Sequence, residues 1–264
     1  MKQQLVFPDK IVRVSEQIDG FKVSVLVPCK NPDIDYLKIC LQSIKDQWYE
    51  PFEVLVLDNN SSLNISKDVK KLCKHSGFEY RREEKDGIGY ARKRLVEMSK
   101  GDYVAFLSCD DEWNPNFLLR MVEEAVKNVG CVIYCSYDVM TSEGFVNKTA
   151  NTLVFSDFLD FCVASLEQAH DNTMFVCFDC VLIPKKVFSV YNFDEELRQS
   201  EDLDFLLNTM LFVPYVGIKD KLAYYRVHEN STTTKTSHSI ASINKTILDR
   251  FYLNINKMKE GDLV

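Results

Sequence analysis

The sequence predicts an α/β fold: a doubly wound, mostly parallel sheet flanked by helices, with a smaller second half. Three observations carry that expectation. Short apolar runs rich in β-branched residues recur at 22–27, 52–57 and 103–107, the form taken by strands buried on both faces. Stretches of helical period separate them, and strand–helix–strand at such intervals implies right-handed parallel crossovers. Each run stops abruptly in a polar loop, so PCKNP (28–32), LDNNSS (57–62) and LSCDDEW (107–113) meet along one sheet edge, where ligands of open α/β sheets gather.

Taken in order, Lys22 to Val27 is the first strand. Leu37, Leu41, Ile44 and Trp48 then recur at the spacing of one buried helix face. Phe52 to Leu57 is the second strand. Ser66 caps a short helix through Leu72, and Phe78 to Arg81 is a short third strand. Gly87-Ile88-Gly89 leads into a helix over Tyr90 to Ser99 that Gly101 ends. Tyr103 to Leu107 is the central strand, with a helix beginning at Asn114-Pro115. After Asn128 the rhythm changes. Val132 to Val139 and Phe178 to Ile183 read as strands around a helix-like FSDFLDFCVASL, residues 201 to 212 as a helix, and Ala223 to Val227 as a final strand. The expected division is an N-terminal arm (1–20), a main domain (21–235) split near residue 132, and an amphipathic tail (236–264). In that tail Ile240, Ile243, Ile247, Phe251 and Ile255 share a face. Docking on the body or on a second copy as a homodimer is the first reading of this face. A membrane-surface helix is the second.

Composition narrows the partners. The chain of 264 residues is 46% hydrophobic, ample for a core. Acids outnumber bases, 39 to 32, which argues against a nucleic-acid partner because that affinity rests on cations. The opening MKQQLVFPDK has no apolar region of a signal peptide, and no stretch reaches the roughly 20 apolar residues of a membrane span. A cytoplasmic location follows, or a peripheral one at a membrane through the tail. Nine cysteines, an odd number, sit mostly in apolar runs and read as small hydrophobes. Cys177 with Cys180, and Cys131 with Cys135, form pairs at zinc-like spacing, but in strand-like rather than tight-turn surroundings.

The chemistry concentrates at Asp110-Asp111-Glu112. Adjacent acids at a buried strand end are awkward for a fold and useful for a divalent cation carrying a diphosphate. A plainer reading is that they cap the following helix. Likewise, Glu201 and Asp202 taken alone complement a helix dipole, His228 alone is an ordinary histidine, and Arg92 to Arg94 alone form a solvated helix face.

The order of motifs changes those readings. VSVLVPCKN, EVLVLDNNSS, GIGYARKR, GDYVAFLSCDDEW, SEDLDF and YRVHENS, over residues 22–231, together resemble the inverting GT-A glycosyltransferases of family two. The resemblance implies a GT-A fold with a nucleotide-binding half (about 21–132) and an acceptor half (about 133–235). It implies that Pro28, Cys29, Lys30 and Asn31, with Asp58 and Asn59, hold the base and ribose. Arg92 would help hold the nucleotide, with Ser108, Cys109 and Asp111 at the donor. Asp110 and His228, with Arg226 and Ser231 beside the histidine, would hold Mn²⁺ or Mg²⁺ on the donor diphosphate. Asp202 matches the catalytic base.

Two departures stand out. Ser108 replaces the usual first aspartate of D-x-D, and Asn59 stands where uridine-using relatives often carry an acid. The function expected is therefore metal-dependent, inverting transfer of a sugar from a nucleotide-sugar donor, a UDP-sugar, to a hydroxyl of a glycan or other acceptor. A non-catalytic nucleotide-sugar-binding or scaffolding protein of the same fold is the alternative, motivated by Ser108. A nucleotidyltransferase lacks its Gly-rich signature loop.

Overall fold

The computed structural model describes residue 18, residues 20–147 and residues 177–260, with side chains omitted at 147, 232–241 and 258–260. Strands β1 (Val23–Cys29), β2 (Glu53–Asn59), β3 (Glu79–Glu83) and β4 (Tyr103–Phe106) alternate with helices α1 (Ile34–Lys45), α2 (Leu63–Ser76) and α3 (Ile88–Met98). They pair in parallel in the order β3-β2-β1-β4. Alternation along these strands sends side chains into two cores. Val23, Val25 and Val27 of β1 join α1, α2 and α4 (Phe117–Lys127) on one face. Leu26, Leu55, Leu57 and Phe106 meet α3 and the later helices on the other. β1 is buried at every position, as a central parallel strand sandwiched between helices requires.

The second half joins the same sheet but reverses direction. β8 (Val181–Pro184) runs antiparallel beside β4, and β6 (Val132–Met140) antiparallel beside β8. β9 (Tyr215–Arg226) lies parallel to β6, and β5 (Glu112–Trp113) antiparallel to β9. β7 (Val146–Asn147) hairpins onto β6. The sheet is therefore parallel in its first half and mixed as a whole. These reversals matter for chemistry. The start of β8 and the end of β9 are both delivered to the carboxyl end of β4. α5 (Glu201–Thr209) follows β8, and α6 (Thr232–Glu260) closes the described chain.

Several local expectations change. α1 ends at Lys45, so Trp48 lies beyond it, and Gln47 is buried instead. α2 starts at Leu63 with Ser62 at the cap position, which leaves Ser66 inside the helix, its hydroxyl turned to Asp58. The acids at 110–112 do not cap a helix: the chain first forms β5, and α4 begins only at Phe117 after Asn116. Residues 178–180 form a 3₁₀ turn rather than strand. The helix expected at 155–166 lies outside the described residues. Val187, Phe188 and Phe193 add to the second core. α6 buries Ile247, Leu248 and Phe251 there too, with Ile243 and Ile255 packed against them, so these positions of the tail's apolar face dock on the chain's own body. Among the described residues no helix is long and apolar enough to cross a membrane.

Gly101 does not terminate α3, which ends at Met98 with Ser99 as its C-cap. A Cβ at Gly101 would lie 2.6 Å from Ser24 Oγ, 2.7 Å from Ser24 N and 2.9 Å from Lys22 O, so the glycine permits close approach to β1. Gly101→Ala is expected to destabilise the protein by about 1–3 kcal/mol, the usual cost of overpacking, because backbone must move. Urea unfolding of the two proteins measures it; an unchanged midpoint contradicts the close-packing account.

Candidate active site

The end of β4 is where the two halves meet. Antiparallel pairing of Glu112 with Tyr224 carries β9 alongside the acidic loop. Arg226 and His228 follow at its end. His228 Nε2 lies 2.9 Å from Asp110 Oδ2. Arg226 donates its backbone N–H to Asp111 Oδ1 at 2.6 Å and its Nε–H to the Asp110 carbonyl at 2.8 Å. Its guanidinium also reaches Glu112 and the carbonyl of Ser142, and rests over Tyr36, 4.6 Å from the ring centroid. Tyr36 in turn packs on His228, with ring centroids 5.1 Å apart. Ser231 closes the turn by donating to the His228 carbonyl.

From the other side, the 3₁₀ turn before β8 supplies Asp179. Its Oδ1 accepts both the backbone N–H and the hydroxyl of Ser108, at 2.9 and 3.0 Å. Asp111, Cys177 and Asp179 form a buried group whose ligand atoms lie within 4.8 Å of one another. Burial, and then the neighbouring Asp179, push the Asp111 carboxyl well above the usual range. Burial raises Asp179 as well, while a hydrogen bond from Asp111 and the charge of Arg92 pull it back.

Asp110 is the member left open, its side chain 29% exposed. A carboxylate oxygen and an imidazole nitrogen converging at a strand end are a fitting donor set for Mn²⁺ or Mg²⁺ that shares its remaining positions with diphosphate oxygens and water. The enclosed Asp111–Cys177–Asp179 group fits a donor-bound ion less well, because its oxygens are spent on Ser108, Arg226 and each other.

The loops after β1 and β2 are clasped together. Asn31 donates its N–H to Ser61 Oγ at 2.7 Å, and its side-chain oxygen accepts from Ser62 N at 2.8 Å. Asn31 and Asn60 hold positive φ, 44° and 60°, as asparagine tolerates in tight loops. Asp58 is wholly enclosed and accepts from Ser61 N, Ser66, Tyr80 and Arg82. Burial pulls its pKa up, and the hydrogen bonds from Ser61, Ser66 and Tyr80 more than offset that, leaving it below the usual value. Asn59 donates to the Lys85 carbonyl and accepts from Gly87 N, fixing the loop that opens α3. Lys30 is exposed and pairs with Asp86 at 2.7 Å. Pro28 and Cys29 are buried strand residues, and Cys109 is half-buried. Burial raises both thiols, Cys29 and Cys109, far from thiolate character.

Arg92 does not sit among those loops. Its guanidinium lies over Phe178 at 4.5 Å, with Phe106 and Phe193 at 5.8 Å. Its Nη1 is 2.8 Å from Glu201 Oε1 and 3.9 Å from Asp202 Oδ2. Ser200, at φ 57°, turns the chain into α5 so that Glu201 is buried and Asp202 stays 37% exposed. Burial pushes Glu201 up to about 7, although Arg92 pulls the other way. The same arginine links Asp202 to the 3₁₀ turn that bears Asp179, since it lies over Phe178 of that turn and 3.9 Å from Asp202 Oδ2. Asp179 carries no signal that motif reading singles out, and Glu201, inside SEDLDF, receives there no role beyond a helix dipole. Asp179 stands between two cysteines in an apolar run, and only the antiparallel placement of β8 brings it to Ser108.

A family model described as glycosyl transferase family 2 matches residues 24–191. The putative teichuronic acid biosynthesis glycosyltransferase TuaG of Bacillus subtilis is 25% identical over 222 residues, covering 80% of this chain and 81% of that protein. An uncharacterized glycosyltransferase of Rickettsia bellii is 26% identical over 236 residues, 88% of this chain but only 33% of that relative's length. Among solved structures, residues 1–349 of S. aureus TarS in complex with UDP-GlcNAc superpose with a TM-score of 0.65 at 18% identity, covering 88% of this chain and 71% of that one. At that identity the likeness establishes the shared fold.

Glu201 yields a pH test. Its folded pKa of about 7 lies above the ordinary 4.5, so the folded state binds more protons between those values and this group's contribution to stability falls as pH rises through that window. The full difference is on the order of 3 kcal/mol. Glu201→Gln is expected to lose less stability than the parent between pH 5 and pH 8, measured by urea unfolding at each pH. Equal losses in both proteins would mean that Glu201 titrates normally.

Proposed function

This chain belongs to glycosyl transferase family 2, and from that membership we propose that it is a metal-dependent, inverting glycosyltransferase using a UDP-linked sugar. The observation that carries the reading is the Asp110–His228 pair at the end of β4, with Asp179 on Ser108 beside it and the turn bearing Asp202 joined to that 3₁₀ turn through Arg92 and Phe178. A similar structure holds UDP-GlcNAc, which supports uridine as the base.

In this reading the clasped loops after β1 and β2 cradle the nucleoside. Asp58 and Asn59 shape that cradle from within, through Arg82 and the 85–87 loop, and the backbone and Lys30 face the ligand. Asp110 and His228 would hold Mn²⁺ or Mg²⁺, which when bound offsets the charge that develops on the diphosphate leaving group. Arg226 holds the Asp110 carbonyl and the Asp111 carboxyl in place, so the loop meets the donor in one conformation. Asp202, the exposed acid of the α5 turn, accepts the proton of an acceptor hydroxyl as that oxygen attacks the anomeric carbon opposite the diphosphate, inverting the centre. The non-catalytic alternative rests on Ser108. Against it, Asp179 puts a carboxylate oxygen 3.0 Å from Ser108 Oγ, so the loop does not lack an acid at that place.

Two measurements test this. UDP in Mn²⁺ is expected to bind more tightly than GDP or ADP, and a saturating excess of about a hundred times Kd to stabilise by roughly 2.7 kcal/mol, a thermal shift on the order of 5 to 10 °C. EDTA or Asp110→Ala should remove that binding in calorimetry. Equal UDP affinity with and without metal, in both proteins, rejects the metal role, and a larger shift with GDP-sugars rejects the base. Separately, Asp202→Asn keeps shape and hydrogen bonding but removes the proton acceptor. It should lower turnover of the donor by about 10²- to 10⁴-fold with donor affinity within a few-fold. Near-parental turnover rules Asp202 out as the base.

A further inference from the structure

Resting on Asp202 as the base, we infer that Arg92 and Glu201 are its positioning pair: Arg92 pins the first turn of α5 through Glu201, and Glu201 occupies the guanidinium so that Asp202 remains open to the acceptor. The motif alone assigns Arg92 to the nucleotide, and Glu201 receives no role beyond a helix dipole.

Arg92 is 6% exposed and Glu201 4%. A guanidinium removed from water costs several kcal/mol unless a carboxylate meets it, and removing either partner strands the other charge. Three phenylalanines from separate parts of the chain, Phe106, Phe178 and Phe193, enclose the guanidinium and fix its plane. The buried Nε and Nη1 of Arg92 have no partner of hydrogen-bond geometry. Nη1 nevertheless lies 2.8 Å from Glu201 Oε1. The contact is therefore an ion pair by distance without alignment, and the aromatic cage rather than a hydrogen-bonded fork holds the arginine.

The first turn of α5 carries three acids, Glu201, Asp202 and Asp204. Two of them are anchors. Glu201 meets Arg92, and Asp204 accepts from Tyr191 at 2.8 Å and Arg250 at 3.2 Å. Only Asp202 faces outward. The turn needs those anchors, because Ser200 precedes it at φ 57° and gives no side-chain cap. A non-glycine residue at positive φ is strained and persists where its surroundings over-determine it. Glu201 also lies closer to Nη1 than Asp202 does, by 2.8 to 3.9 Å. Without it, Asp202 would be the nearest carboxylate and would turn inward to the arginine.

The test uses the full chain with Arg92→Met, Arg92→Lys, Glu201→Gln and the Met/Gln double variant. Amide hydrogen exchange at residues 199–204 reads the pinning. Calorimetry of UDP with Mn²⁺ reads the nucleotide site, and UDP-GlcNAc hydrolysis reads turnover. We expect exchange at 199–204 to quicken about tenfold or more in Arg92→Met and Glu201→Gln. UDP affinity should stay within about threefold, and kcat should fall roughly 10- to 100-fold with little change in KM. Arg92→Lys, which keeps the charge but not the planar stack, should recover part of kcat. The double variant, with no charge stranded, should recover stability but not kcat.

The inference is overturned if Arg92→Met loses UDP affinity about tenfold with exchange unchanged, which would make Arg92 a nucleotide ligand. It is also overturned if exchange and kcat stay at parental values. Should Arg92→Met fail to fold, Glu201→Gln gives the same reading. Should the parent bind no uridine nucleotide, the proposed function fails, and exchange at 199–204 still decides whether the pair pins the turn.

Discussion

Acids gathered at the buried end of β4 are the constraint on which the rest of the structure depends. Carboxylates out of water must be protonated, paired or hydrogen-bonded, and the second half of the chain is arranged to do this for Ser108 to Glu112. β8 runs antiparallel to β4, so that Asp179 meets the Ser108 N–H and lies against Asp111. β9 runs beside β5, so that the Arg226 backbone meets Asp111 and its guanidinium meets Glu112. A simple continuation of the parallel rhythm would bring neither. The reversal that makes the sheet mixed is thus the same feature that makes the acidic loop stable, and it leaves Asp110 as the acid with room for a ligand.

That division explains what the sequence could and could not disclose. The parallel half was legible because its information is local: apolar runs of fixed length, polar stops and a helical period between them. The three loops of the sheet edge follow from those signals alone. Trp48 was misplaced because its spacing matches the α1 stripe, while the helix ends three residues earlier, at Lys45. Ser66 looked like a cap because serine often is one, yet its hydroxyl serves Asp58 across the loop. Asp179 and Glu201 were illegible for a different reason. Each acquires its meaning from a partner far along the chain, Ser108 for the first and Arg92 for the second, and no local pattern encodes such a meeting. The 155–166 segment, read as helix, lies outside the described residues.

Backbone strain follows the same geography. Asn31, Asn60 and Ser200 are the non-glycine residues at positive φ among those described, and each sits in a segment where the proposed function puts donor or acceptor. Asn31 and Asn60 bend the loops after β1 and β2 toward each other, where Ser61 and Ser62 lock them. Ser200 aims the acidic turn of α5. Between these sites runs a strap, in which Lys85 and Lys93 both meet Glu195 and the Arg198 guanidinium donates to the Asp86 carbonyl. Gly89 lets that strap lie against α3, since a Cβ there would fall 2.2 Å from the Asp194 carbonyl oxygen. The 85–87 loop and the turn bearing Asp202 are therefore tied to one piece of chain.

The two sides of the site solve one electrostatic problem in the same way. Each has a buried arginine lying on an aromatic ring, Arg226 on Tyr36 and Arg92 on Phe178. Each arginine meets a glutamate next to the functional aspartates, Glu112 after Asp110-Asp111 and Glu201 before Asp202. A lone arginine in either place would attract the aspartate itself and hold it from the metal or acceptor of the proposed reaction. A lone aspartate would face the repulsion of its neighbours with nothing to fix its loop. Pairing arginine with glutamate supplies the attachment, and the aromatic face keeps the guanidinium from turning toward the other acid. What remains on each side is one partly open carboxylate, Asp110 or Asp202, on a loop that its neighbours have already made rigid. Chemistry that needs a metal-bearing acid and a proton-accepting acid near one another, yet not consumed by one another, calls for such a division.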